Sequence, residues 1–184
     1  MKACSFFGHR NTPQTEDLKE KVREIVERLI VEEGVDTFLF GSRSKFDELC
    51  HMVVTELKEK YSHIRRIAYL CKHESGCLVG AGIELKQKIK SLTGRDVYIA
   101  EYEEIKKSDR VNLAGCASYV ERNQEIVDAS QYCIFFFDPH YSVTACKGLN
   151  QTCLCKSGVR FIYDYAKKNR RCSSEIINLC FETE

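Results

Sequence analysis

Two apolar stretches of the chain end in a glycine followed closely by an arginine, and these turns are the residues best suited to chemistry. They consist of Gly8, His9 and Arg10 after the first stretch, and Gly41, Ser42 and Arg43 after the second. Glycine lets the backbone approach a ligand with its N–H groups exposed, and arginine donates paired hydrogen bonds to phosphate or carboxylate. Glycine at a strand-to-helix turn is also required in folds that bind nothing there, so only the two turns together indicate a phosphate-bearing ligand.

Further polar side chains fall at comparable positions. Asp47 follows the second turn, Asp138 and His140 follow an apolar run over 131–137, and Ser157 and Gly158 open the last predicted helix. A helix over 119–129 would place Arg122 and Asn123 on one face, from which they reach a ligand from the side. A solvated helix on which Arg122 pairs locally is the alternative. The predicted ligand-binding set is Gly8, His9, Arg10, Gly41, Ser42, Arg43, Asp47, Arg122, Asn123, Asp138, Ser157 and Gly158.

Neither a metal ligand nor a catalytic residue is predicted. The histidines show no spacing suited to a metal, and His51, His63 and His73 are expected at the surface. The 11 cysteines are odd in number and form no CxxC pair, which indicates free thiols in a reducing compartment, here the cytoplasm. Cys146, Cys153 and Cys155 are interpreted as loop thiols, with metal binding as the weaker alternative.

Strands and helices alternate in the predicted elements. Thr12 and Pro13 are expected to start the first helix and Gly34 to end it. This alternation predicts an α/β, Rossmann-like three-layer fold with a mostly parallel sheet, formed by a single domain over 1–184. Strands are predicted at 2–7, 35–40, 64–71, 96–101, 131–137 and 176–181, and helices at 13–33, 45–61, 83–92, 119–129 and 158–169.

Composition narrows the function classes. The formal net charge is +1, from 28 basic and 27 acidic side chains. A domain that binds long nucleic acid usually carries a marked basic excess, so that partner is not expected. No apolar run approaches the roughly 20 residues of a membrane span, so a membrane is not expected either.

Four segments, in order along the chain, resemble the YpsA-like branch of the SLOG superfamily. Residues 6–10 (FFGHR) resemble its FxGHR opening, and 38–47 (FLFGSRSKFD) its second motif, with Phe46 in place of the glycine before Asp47. Residues 122–130 (RNQEIVDAS) are similar to its RNxxMVDxSD segment. Residues 156–166 (KSGVRFIYDYA) resemble its GGT turn and Tyr-Ala helix, with Ser157 and Val159 as departures.

The resemblance implies a Rossmann-like domain that binds a nucleotide or an ADP-ribose-like signal, without a cofactor, and that self-associates. The expected function is therefore a sensor or sequestering protein that does not turn its ligand over. The alternative is a LOG-type phosphoribohydrolase acting on nucleoside monophosphates. Glu121-Arg122 matches the arginine segment of that branch, but its catalytic glutamate aligns with Ile162, which favours the binding protein. A homo-oligomer would use the aromatic stretch around Tyr163 and Tyr165.

Overall fold

The computed structural model describes residues 1–41, 44–70, 101–108, 116–141, 158–169 and 175–180. Strands and helices alternate through these residues, except between the third and fourth strands, where residues 71–100 lie outside the description. Their bounds are β1 (Ala3–Gly8), α1 (Glu16–Val31), β2 (Thr37–Phe40), α2 (Lys45–Lys60), β3 (Arg65–Leu70), β4 (Glu104–Lys107), α3 (Cys116–Asp128), β5 (Tyr132–Phe136), α4 (Gly158–Lys168) and β6 (Glu175–Asn178).

The six strands form one sheet in the order β4-β3-β2-β1-β5-β6, and every pair of neighbours is parallel. The central strand β1 pairs with β2 in the register Cys4 opposite Phe38. It pairs with β5 up to Gly8 opposite Phe136. The predicted α/β, Rossmann-like fold with a parallel sheet is thereby confirmed.

Helices cover both faces of this sheet, and alternate residues of β1 enter two different cores. Cys4 and Phe6 belong to the core beneath α1 and α2, whereas Ala3 and Phe7 belong to the core beneath α3 and α4. A strand that is buried on both faces is apolar at nearly every position, which explains why β1 and β5 show no alternation in the sequence. The polar exception in β1 is Ser5, whose hydroxyl donates to Sγ of Cys133.

Helix α1 starts later than the sequence predicts. The hydroxyl of Thr12 donates to the carbonyl of His9 within the loop, and Thr15 is the N-cap that accepts from the N–H of Leu18. The end of the helix is as expected: Gly34 has a φ of 68°, and the next residue, Val35, donates from its N–H to the carbonyl of Leu29.

The outermost strand of the described sheet, β4, is not among the predicted strands. The helix expected at 83–92 and nearly all of the strand expected at 96–101 lie outside the described residues. Strand β4 covers Glu104–Lys107, where Ile105 is the single apolar residue. An edge strand of this composition carries no hydrophobic pattern, so the sequence gives no signal for it.

His51 is buried rather than exposed, which corrects the expectation that it lies at the surface. Its Nε2 donates to the carbonyl of Glu101 at 2.7 Å, and the ring packs against Phe40 and Tyr102. Arg66, also buried, binds both carboxylate oxygens of Glu103. Together these contacts attach the segment before β4 to α2 and β3.

Cys4, Cys50, Cys133 and Cys180 form no disulfide, and the first three of them are buried. Burial raises the pKa of Cys4 and of Cys50, so both thiols stay protonated and pack as small apolar groups. No helix of the described residues has the length and apolar character to cross a membrane.

The tyrosines expected to mark a self-association surface are engaged inside the fold. Tyr163 stacks on Phe137, with ring centroids 4.7 Å apart, and the hydroxyl of Tyr165 donates to Asp128 at 3.0 Å. The exposed aromatic residue of α4 is Phe161. Self-association stays a prediction, and these two tyrosines do not support it.

Burial of His51 predicts a loss of stability in mild acid. Burial lowers the pKa of His51 from 6.5 to about 4. The hydrogen bond to Glu101 and the charge of Glu103 raise this pKa by smaller amounts, whereas the charge of Arg66 lowers it. As the pH falls, His51 takes up a proton in the unfolded chain before it does so in the folded protein. The contribution of neutral His51 to the free energy of unfolding is therefore complete above about pH 6.5 and is lost as the pH falls toward 4. We expect a loss of about 2 kcal/mol between about pH 7 and about pH 5.

Denaturant titrations at both pH values would measure this loss. His51→Gln should be less stable than the wild type at neutral pH but should lose about 2 kcal/mol less on acidification. His63→Gln, at an exposed histidine, should behave as the wild type does. An equal acid sensitivity of wild type and His51→Gln would contradict the prediction.

Candidate functional site

The order of the strands creates a crevice at the centre of the sheet. The chain leaves β1 toward β2 on one side, and β5 lies on the other side, so the direction of winding reverses between β1 and β5. In open α/β sheets, ligands bind in the crevice outside the carboxyl ends of the strands at such a reversal. His9 follows β1 there, and Asp138 follows β5.

His9 and Asp138 are joined by a hydrogen bond across this crevice. The backbone N–H of Asp138 donates to Nε2 of His9 at 3.0 Å. Only an unprotonated nitrogen accepts such a bond, so Nδ1 carries the proton of the neutral ring. Burial lowers the pKa of His9, against smaller opposing effects of Asp138. Tyr141 stacks on the same ring, with centroids 3.9 Å apart. The histidine is therefore held neutral in a fixed orientation.

The end of β5 is held from its other side by Asn178 of β6. The side-chain Oδ1 of Asn178 accepts from the N–H of Phe137, and its Nδ2 donates to the carbonyl of Phe137, both at 3.0 Å. Oδ1 of Asp138 then accepts from the N–H of His140 at 2.7 Å, which closes a turn. Sequence reasoning missed Asn178; an asparagine within a strand was the available signal, because strands are depleted in this residue.

The loop after β1 is tied to the start of α2. The carbonyl of Arg10, whose side chain is exposed, accepts from the N–H of Lys45 at 3.1 Å. Ser44 caps α2 by accepting from the N–H of Asp47 at 3.1 Å. Asp47 is buried in the first turn of α2. Burial, and then the charge of Asp47, raise the pKa of Tyr102. Asp47 therefore lies at the carboxyl edge with its carboxylate near Tyr102.

The turn after β2 meets the middle of α3. A Cβ at Gly41 would overlap Cδ1 of Ile126 and would lie 3.0 Å from Nε of Arg122 and 3.4 Å from Oδ1 of Asn123. Oδ1 of Asn123 accepts from Nε of Arg122 at 3.2 Å and from Nη2 at 3.1 Å. Arg122 is only 1% exposed, so the reading of α3 as a solvated helix is wrong. The structure therefore places Arg122 and Asn123 beside Gly41 at the end of β2.

The rest of the segment 122–130 supports the fold. Ile126 and Val127 are buried beneath α3, and the hydroxyl of Ser130 donates to the carbonyl of Ile126 at 2.7 Å. Asp128 accepts from Tyr165 and from Nδ2 of Asn169, the latter at 2.6 Å, and so joins α3 to α4. These contacts fix the end of α4 relative to the arginine of α3.

The two glycines at the strand ends are required by packing. A Cβ at Gly8 would overlap Cβ of Phe46, a fully buried residue next to the backbone of α2. The close approach at Gly41 is to the end of the Ile126 side chain. Packing within the fold therefore accounts for the absence of a side chain at both positions.

The remaining predicted residues are less constrained. Gly158 opens α4 and is exposed, with no heavy atom within 4 Å of the position a Cβ would take. Ser42, Arg43 and Ser157 lie outside the described residues, as does the cluster of Cys146, Cys153 and Cys155. Among the described residues, no group of three or more histidine, cysteine and acidic side chains is placed to hold a metal ion.

Comparison with known proteins gives no assignment, since neither a family model nor a curated protein matches the sequence. The case for a function therefore depends on the geometry of the carboxyl edge described above.

Alanine substitutions should separate three of the four described glycines, Gly8, Gly41 and Gly158, by stability. Gly8→Ala forces Phe46 and its backbone to move, and we expect a cost of about 2–3 kcal/mol. Gly41→Ala displaces only the tip of Ile126 and should cost about 1 kcal/mol. Gly158→Ala, with free space and helical backbone, should be neutral or slightly stabilising. Urea unfolding of the three variants measures the order, and a Gly8→Ala protein as stable as the Gly158→Ala protein would refute it.

Proposed function

We propose that the protein binds a small nucleotide-derived ligand at the carboxyl edge of its sheet, without turning it over, as a sensor or sequestering protein. The observation that carries this proposal is the reversal of strand order at β1. Gly8, His9 and Asp138 meet at this crevice, and Gly41, Arg122 and Asn123 meet at the adjacent strand end. That residues from separate parts of the sequence lie along one carboxyl edge supports the proposal, since open parallel sheets bind ligands at this edge.

The residue types support a sugar–phosphate ligand. The exposed side chain of Arg10 is suited to a phosphate, since guanidinium donates paired hydrogen bonds to its oxygens. Arg43, which has the corresponding place in the second turn of the sequence, is proposed for the same role. The carboxylate of Asp138 accepts hydrogen bonds and is suited to a ribose hydroxyl, which donates them.

The second candidate is a phosphoribohydrolase, and one described feature favours it. Asp138 places a carboxylate at the crevice beside His9, where an acid or base would be needed. Against it, Ile162 is buried in the core beneath α4, so the position of the expected glutamate does not reach the crevice with a carboxylate. Asp164, the other carboxylate considered, is exposed on α4. Binding without turnover therefore remains the better-supported proposal.

Removal of the Arg10 guanidinium should weaken binding of a phosphate-bearing ligand. Charge-assisted hydrogen bonds contribute about 1.5–3 kcal/mol, so Arg10→Ala should raise the Kd for adenosine monophosphate by about tenfold or more. Lys168→Ala removes an exposed charge from the far end of α4 and is the matched control. Isothermal titration calorimetry gives both affinities. Equal Kd values for Arg10→Ala and the wild type would remove Arg10 from the site.

Incubation with ligand separates binding from hydrolysis. The wild type should leave adenosine monophosphate and ADP-ribose intact. At a ligand concentration of about 100 times the Kd, its free energy of unfolding should rise by about 2.7 kcal/mol. Chromatography of the incubated nucleotides detects any free base or ribose phosphate. Steady release that is abolished by Asp138→Asn, and not by Asp164→Asn, would establish the hydrolase instead.

A further inference from the structure

Tyr119 is an aromatic side chain exposed on the first part of α3. It is 44% exposed, although the ring is large and apolar. Single exposed apolar side chains are common on protein surfaces. The inference therefore depends on the position of Tyr119 and not on its exposure. Phe161 of α4 is similarly exposed, at 48%, and serves as a comparison below.

The direction of α3 brings Tyr119 to the carboxyl edge. Helix α3 leads into β5, and in a parallel sheet such a helix runs opposite to the strand that follows it. Its first turns therefore lie at the carboxyl ends of the strands. Arg122 and Asn123 mark this level, because both are close to Gly41 at the end of β2. Tyr119 is one turn earlier on the same side of the helix, so it lies farther out, beyond the strand ends.

The ring of Tyr119 rests against a cation that is itself held in place. Cζ of Arg122 is 5.3 Å from the centroid of the ring, within the range of a cation–π interaction. The guanidinium is fixed by two hydrogen bonds to Oδ1 of Asn123, at 3.2 and 3.1 Å. Tyr119 is therefore oriented before any ligand arrives, and a rigid aromatic ring loses little conformational entropy when a second ring stacks on it.

We propose that Tyr119 is the residue on which the planar base of the ligand stacks, with Arg122 and Asn123 as the residues that position its ring. The inference deepens the proposed function and rests on it. It assigns the ligand an aromatic base in addition to its sugar and phosphate, and it makes Tyr119 a determinant of specificity between nucleotides and simple sugar phosphates. Any base can stack on an aromatic ring, so stacking predicts tighter binding of ligands that carry a base than of ligands that lack one.

Two probes test this assignment: adenosine monophosphate, which carries a base, and ribose 5-phosphate, which does not. Loss of a base–aromatic stack lowers binding affinity, so Tyr119→Ala should raise the Kd for adenosine monophosphate by about tenfold. The same variant should leave the Kd for ribose 5-phosphate unchanged. Tyr119→Phe, which keeps the ring, should bind both probes as the wild type does, and so should the control Phe161→Ala.

A fluorescence readout tests stacking directly, because the chain contains no tryptophan. Tyr119→Trp introduces a single reporter that keeps an aromatic face. Adenosine monophosphate should quench its emission, whereas ribose 5-phosphate should not. Phe161→Trp, on the neighbouring helix, should be quenched by neither probe.

The outcomes distinguish the two proposals. Binding of adenosine monophosphate that is equally strong in the wild type and in Tyr119→Ala, or no quenching of Tyr119→Trp by it, overturns the stacking role and leaves the ligand site intact. Equal weakening of both probes by Tyr119→Ala also overturns it, since the variant has then disturbed the whole site. A wild-type protein that binds neither probe overturns the proposed function and the stacking role together.

Discussion

The two parallel ladders on either side of β1 determine where every residue of the candidate site stands. Because Gly8 lies opposite Phe136, the chain leaves β1 and β5 side by side, and His9 comes within hydrogen-bonding distance of Asp138. The same central position buries both faces of β1. Its side chains must therefore fill two cores at once, and no polar group of this strand is available for a ligand. Chemistry is confined to the residues that follow the strand.

The general architecture could be read from the sequence because burial on both faces leaves an unmistakable composition. The apolar runs that became β1 and β5 follow directly from it. The helical spacing of Phe46, Leu49 and Val53 reflects burial of one side of α2. The start of α1 could not be read in the same way. Thr12 and Thr15 are chemically equivalent as caps, and the choice depends on whether the hydroxyl meets the carbonyl of His9 or the N–H of Leu18.

The site shows a similar division. Gly8, His9 and Asp138 were predictable, since residues that directly follow adjacent parallel strands must emerge at one edge. The burial of Arg122 and the contact of Asn178 with Phe137 depend on tertiary packing, the latter between residues 41 positions apart. His51 was misjudged for the same reason, because its partner Glu101 lies 50 positions away. The sequence alone does not distinguish polar side chains that are buried from polar side chains that are exposed to water.

Strand β4 has one consequence for the behaviour of the protein in concentrated solution. In the described part of the sheet β4 is the outer strand, and an outer strand exposes N–H and C=O groups to which the strand of a second molecule can add. This strand is four residues long, and Lys106 and Lys107 follow its single apolar side chain. A strand that added at this edge would remove water from the ammonium groups. Lys106 and Lys107 thus have two effects. They interrupt the hydrophobic pattern from which a strand is predicted, and they disfavour aggregation through the addition of strands at this edge.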